Sequence, residues 1–114
     1  MHKVTEANFR LPIIYPTEIV AELASGANRP LHIRGFDVGT HKKDEFVVKL
    51  KDSERMGDPG AFLRELVAAL VAIEMDIPVA EPVVINITKE LAGLAGTPSL
   101  RQRILNSVGL NFGS

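Results

Sequence analysis

Two oppositely charged residues stand where the surrounding sequence predicts burial. Lys49 lies in residues 46–50, whose alternating pattern is that of a β-strand. Glu65 lies in an apolar helical pattern, one turn from Phe62 and from Ala69. Because an unpaired charge near a core is costly, a lysine and a glutamate in such positions tend to be paired. A strand lysine held by a glutamate of the following helix is an arrangement known to bind nucleotide phosphates, so we interpret this pair as a candidate site of that kind.

Two further features fit the same chemistry. Val47 precedes the lysine by two residues, so it shares its face of the strand. In the same nucleotide-binding arrangement the residue at this position covers the adenine ring, and Val47 is apolar as that role requires. The turn formed by Ser25, Gly26 and Ala27 has small residues and backbone N–H groups that suit contact with phosphates. This turn matches neither a G-x-G-x-x-G sequence nor a Walker A loop.

The same residues also have an ordinary interpretation. Lys49 can belong to the wet face of a sheet, with its aliphatic stem packed and its ammonium in water, and Glu65 can be a surface residue of a helix. Spacing alone leaves both interpretations open. They differ in one observable quantity, which is the distance between the two side chains in the folded chain.

Periodicity and turn signals predict the elements that position these residues. Strands are predicted over residues 18–23, 31–36, 45–51 and 83–88, the first two forming a hairpin. The main helix is predicted to have Asp58 as its N-cap and Pro59 as its first residue, and to end before Pro78.

Shorter elements complete the predicted domain. Residues 89–95 form a short helix after Thr88, and Thr97 caps a second helix that ends near Gly109. Residues 1–16 are expected to be an extended leader containing two prolines, and residues 17–114 a single domain. The expected fold is α+β: a mostly antiparallel sheet of about four to five strands, one main helix packed on it, and short C-terminal helices.

Composition limits the function classes. The chain has 114 residues and a net charge of −1, which lacks the strongly basic character of a dedicated nucleic-acid binder. It has no cysteine, so disulfides and thiolate metal sites are excluded. No apolar signal core opens the sequence and no segment has the length and apolarity of a membrane span. We therefore expect a cytoplasmic protein that contacts neither membrane nor nucleic acid.

Four segments, taken in order, resemble the N-terminal lobe of HipA-like kinases, which are bacterial proteins similar to eukaryotic protein kinases. The segments are SGANRP at 25–30, FVVK at 46–49, RELVAA at 64–69 and IPVAEP at 77–82. The resemblance covers roughly residues 17–114 and implies a kinase N-lobe-like fold. It further implies that Lys49 binds ATP phosphates, that Glu65 is its helix partner, and that residues 25–28 form the phosphate loop.

The resemblance also implies what this chain lacks. In the family the catalytic aspartate, the asparagine and the metal-binding aspartate lie in a C-terminal lobe, for which residues 17–114 offer no counterpart. We therefore expect ATP and Mg²⁺ as cofactors, Mg²⁺ ligands outside this chain, and no phosphotransfer by the chain alone. The expected partner is a C-lobe or second subunit, with a homo-oligomer as a further option. One alternative is a regulatory module that docks on a kinase or toxin partner, as in toxin–antitoxin systems. Another is a small α+β domain of unrelated function, in which the kinase-like pattern is a coincidence.

Overall fold

The computed structural model describes residues 3, 10–23, 29–53 and 56–114. Within these ranges the chain forms five strands and three helices. In chain order they are β1 (Ile13–Glu22), β2 (Leu31–Asp37), β3 (Lys43–Lys49), α1 (Ala61–Glu74), β4 (Val83–Ile87), α2 (Lys89–Ala92), α3 (Pro98–Leu105) and β5 (Gly109–Gly113).

The sheet has the strand order β1-β2-β3-β5-β4 and closes into a barrel. Four of the strand pairings are antiparallel. The fifth pairing, between β1 and β4, is parallel and closes the barrel, with Ile13 opposite Val84 and Ile14 opposite Ile85. The α+β class, the mostly antiparallel sheet and the packed helix are confirmed. The closure is a finding that the sequence did not predict.

The barrel interior is filled by aliphatic side chains from all the strands but β5. Strand alternation directs every second residue inward, and the buried residues of α2 and α3 join the same core. Its fully or almost fully buried members include Ile14, Leu31, Ile33, Val48, Ile85, Ile87 and Ile104.

The helix α1 packs on the outer face of the barrel, against β5. Asn111 and Gly113 are buried on the inner side of β5, so Phe112 between them points outward. There Phe112 joins Met56 and Ala61 in a second apolar cluster, to which α1 adds Phe62, Leu66 and Ala69. This packing brings α1 alongside the end of β3, because Phe112 is the register partner of Lys49.

The start of α1 corrects one prediction. The helix begins at Ala61 with Gly60 as its N-cap, so Asp58 is not the cap and Pro59 is not the first helical residue. The carbonyl of Asp58 accepts a hydrogen bond from the Ala61 N–H at 2.9 Å, which forms a turn ahead of the helix. The Asp58 carboxylate accepts from the Gly60 N–H and pairs with Arg64, and these two contacts lower the pKa of Asp58.

Three strand boundaries also differ from prediction. β1 begins at Ile13, so it includes the last residues of the range expected to be a leader. β3 runs two residues earlier than predicted, since the Lys51 N–H bonds to a side chain rather than to a neighbouring strand. Gly109 does not end α3, which stops at Leu105, but opens the unpredicted strand β5.

Gly113 is required by the close approach of three strands. A Cβ at this position would meet the side chain of Ile85 and would lie 2.9 Å from the carbonyl oxygen of Val47. Any larger residue would therefore push β5 away from β3 or β4, and overpacking of this kind typically costs about 1–3 kcal/mol.

The turn after β2 is held by a partly buried ion pair. Arg10 donates to the carboxylate of Asp37 at 3.1 Å, and Asp37 also accepts from the Gly39 N–H at 2.8 Å. The bond from the Arg10 guanidinium is the main cause that lowers the pKa of Asp37 to about 2, with backbone N–H groups adding to the effect.

This pair predicts acid sensitivity. The folded-state pKa of Asp37 is below its ordinary value, so the stabilisation is complete above about pH 4 and is lost as the pH falls through about 2. Because Arg10 is half exposed, water screens the pair and we expect its contribution to stability to be small. Urea unfolding of the natural chain and of Asp37→Asn should show free energies that differ at pH 7 and converge toward pH 2. A constant difference across this range would contradict the prediction.

Candidate functional site

The structure brings Lys49 and Glu65 together. Lys49 is the last residue of β3, Glu65 lies in the second turn of α1, and the Lys49 Nζ and the Glu65 Oε1 are 3.4 Å apart. The two side chains are 31% and 18% exposed, so the pair is near the surface without being fully solvated. The two residues therefore form a pair at the end of β3, as the sequence predicted.

The lysine ammonium is also held by an aromatic ring. Its Nζ lies 5.7 Å from the centroid of the Phe112 ring, a distance at which a cation is attracted to the ring face. Phe112 is in turn fixed by an edge-on contact with Phe62 of α1, at 6.4 Å between centroids. Sequence reasoning missed Phe112, because the strand that carries it was not predicted.

The geometry leaves the ammonium able to bind an anion. At 3.4 Å the contact with Glu65 is longer than the 2.7–2.9 Å of a tight charge-assisted hydrogen bond. An ammonium carries three N–H donors, which is more than its contacts with Glu65 and Phe112 engage. An arriving phosphate oxygen can therefore accept a hydrogen bond from Lys49 while Glu65 continues to orient it.

Val47 lies on the same face of β3 as Lys49, as the alternating pattern predicted. It is two residues earlier on β3, shares the outer face of the sheet with Lys49 and is half-buried. Its backbone exchanges two hydrogen bonds with Ser114, at 2.8 and 3.0 Å, so β3 and the residue after β5 are locked together beside it. Val47 thus presents a fixed apolar surface next to the ion pair.

The remaining predicted site residues cannot be placed in this way. Ser25, Gly26 and Ala27 lie outside the residues that the structure describes. The two ends of their loop are described, and the Leu23 N–H donates to the Pro30 carbonyl oxygen at 2.8 Å. The hairpin from β1 to β2 that carries the loop is confirmed.

A concave surface adjoins the ion pair on the α1 side. It has a volume of about 250 Å³ and is lined by Ala61, Arg64, Glu65 and Ala68. Pockets that enclose a ligand are usually about 300–1,000 Å³, so this concave surface alone is smaller than a typical ligand pocket. Arg64 adds a second cation to this surface, and it pairs with Asp58 at 2.8 Å.

A buried polar network fixes the chain that follows Lys49. The side chain of Asn111 is fully buried, accepts from the Lys51 N–H at 2.8 Å and donates to the carbonyl oxygens of Ser107 and Gly109. The Ser107 hydroxyl accepts from the Asp52 N–H at 3.0 Å. These bonds tie the end of β3 to the turn between α3 and β5, so they position the lysine indirectly.

Comparisons with family models, with curated proteins and with solved structures found no match to this chain. Among the described residues no group of three or more His, Asp or Glu side chains is arranged to hold a metal ion. In the same part of the chain, no helix is both long enough and apolar enough to cross a membrane.

Proposed function

We propose that this chain is the ATP-binding, N-terminal lobe of a HipA-like, kinase-like protein. Lys49 binds the nucleotide phosphates, Glu65 orients Lys49, and Val47 covers the adenine ring. The observation that carries the proposal is the 3.4 Å contact between Lys49 and Glu65 beside an apolar strand residue.

The order of the elements supports the same proposal. In protein kinases the phosphate-binding lysine is on the third strand, its glutamate partner is on the helix that follows, and a glycine-containing loop covers the phosphates. Here Lys49 is on β3, Glu65 is on α1, and the connection between β1 and β2 contains Gly26. This agreement of elements supports a nucleotide site, although the lobe has a closed barrel.

A second polypeptide or lobe completes the proposed site. It would supply the base and the Mg²⁺ ligands, so the chain alone binds ATP without transferring phosphate. Exposed apolar side chains near the C-terminal elements fit a protein partner. Leu105, Val108 and Leu110 are examples, with 42, 46 and 51% of their surface exposed.

Titration with nucleotides tests the proposal. We expect Mg²⁺–ATP to bind the isolated chain at least about tenfold more tightly than AMP, because a charge-assisted hydrogen bond to the outer phosphates contributes about 1.5–3 kcal/mol. Isothermal calorimetry with ATP, AMP and adenosine measures this difference.

Two outcomes of the titration would count against the proposal. Equal affinities for ATP and AMP would mean that Lys49 does not bind the outer phosphates. No detectable binding of ATP at millimolar concentration would remove the nucleotide role altogether. A stable partner that co-purifies without any dependence on ATP would then favour the regulatory module.

A further inference from the structure

Arg103 of α3 lies at the base of the loop that joins β1 to β2. Its Nη1 donates to the Glu22 Oε2 at 2.7 Å, on the strand that enters the loop. The same nitrogen donates to the carbonyl oxygen of Arg29 at 3.2 Å, on the segment that leaves it. The Arg103 guanidinium therefore connects the two ends of the loop, although Arg103 is far from Glu22 and Arg29 in sequence.

The contact is strengthened by its surroundings. The side chain of Arg103 is 13% exposed and that of Glu22 is 24% exposed, so water screens this pair less than a surface pair. Glu22 also accepts from the Arg29 Nη2 at 2.9 Å. The carboxylate thus bridges two guanidinium groups, one from the far end of the loop and one from α3.

Arg103 also reaches the chain that follows Lys49. Its Nε donates to the carbonyl oxygen of Asp52 at 3.3 Å, and the Asn106 side chain donates to the Asp52 carboxylate at 2.9 Å. Because the planar guanidinium has donors in fixed directions, it can hold three chain segments in one arrangement. A lysine cannot reproduce this fork.

We propose that Arg103 is a positioning residue that holds Glu22 and the Arg29 backbone, at the two ends of the connection between β1 and β2, against the chain that follows Lys49, and thereby sets the affinity of the chain for the nucleotide phosphates. The part concerning affinity rests on the proposed function, whereas the part concerning the base of the loop does not. Arg103 does not itself touch the nucleotide; it acts through Glu22 and the Arg29 backbone.

The test compares Arg103→Gln with Arg101→Gln, which removes the same charge from an exposed position of the same helix. The first readout is the rate of amide hydrogen exchange at Leu23, divided by the mean exchange rate of the β4 amides. The Leu23 N–H reports on the base of the loop because it donates a hydrogen bond to the Pro30 carbonyl oxygen. We expect Arg103→Gln to speed this relative exchange about tenfold, and Arg101→Gln to leave it unchanged. Taking the ratio to β4 corrects for any change in global stability.

The second readout is the dissociation constant for Mg²⁺–ATP. We expect Arg103→Gln to weaken ATP binding about tenfold, Arg103→Lys to weaken it less, and Arg101→Gln to leave it unchanged. Unchanged relative exchange at Leu23 in Arg103→Gln would overturn the positioning role. Faster exchange with unchanged ATP affinity would overturn the coupling to the nucleotide. If the natural chain does not bind ATP, the proposed function fails, while the exchange readout still decides the role of Arg103 at the loop.

Discussion

Replacing Lys49 by methionine is expected to weaken the binding of Mg²⁺–ATP by about 10- to 100-fold. Methionine keeps most of the length and packing of the side chain, but it removes the ammonium that contacts Glu65. A hydrogen bond to a charged group contributes about 1.5–3 kcal/mol, which corresponds to this loss. Calorimetric titration of both proteins measures it.

The control for this substitution comes from the same strand. Lys43 is exposed at the opposite end of β3, so Lys43→Met removes the same charge and should leave the ATP affinity unchanged. Glu65→Gln should weaken binding less than Lys49→Met, because the amide oxygen can still orient the ammonium. Equal affinities of the natural chain and Lys49→Met would refute the phosphate role of Lys49.

The second large effect is expected from Asn111→Ala. The substitution removes one acceptor and two donor bonds from a fully buried position, leaving the Lys51 N–H and the Ser107 and Gly109 carbonyl oxygens without this partner. The lost bonds and the cavity together should lower the free energy of unfolding by about 3 kcal/mol. A chain of this size should then melt about 10–15 °C lower.

Asn106→Ala provides the matched comparison for Asn111→Ala. Asn106 is exposed, and its amide bonds to Gln102 and Asp52 at the surface. Loss of these bonds should change the free energy of unfolding by less than about 1 kcal/mol. Thermal unfolding followed by circular dichroism compares the two variants. Similar melting temperatures for both would contradict the structural role assigned to the buried amide.

Much of the fold was readable from local pattern. The hairpin of β1 and β2, the alternation of β3, the start of α2 after Thr88 and the side-chain cap at Thr97 all depend on residues close in sequence. β5 was missed because its five residues include two glycines and an asparagine, which are typical of turns. Its strand conformation comes from its place between β3 and β4, and such tertiary context overrides propensity.

The sequence predicted those parts of the site that depend on the type of a side chain and on its position within a strand or helix. Lys49 and Glu65 were predicted as a pair because each charge lies within an apolar pattern, and their contact confirms that prediction. Phe112 and Arg103 were missed because their contacts join segments far apart in sequence. No local periodicity signals that an arginine on a short helix will meet a glutamate at the end of β1.

The parallel closure between β1 and β4 has a consequence for how the chain behaves when it is stressed. The two strands meet through two register pairs and are far apart in sequence, so forming this seam carries a large loop-closure cost for few strand contacts. If the pairing between β1 and β4 opened, the barrel would become an open sheet with β1 and β4 as unpaired edge strands. Such edges add strands from other molecules, so we expect self-association to begin at this seam while the other strand pairs are still intact.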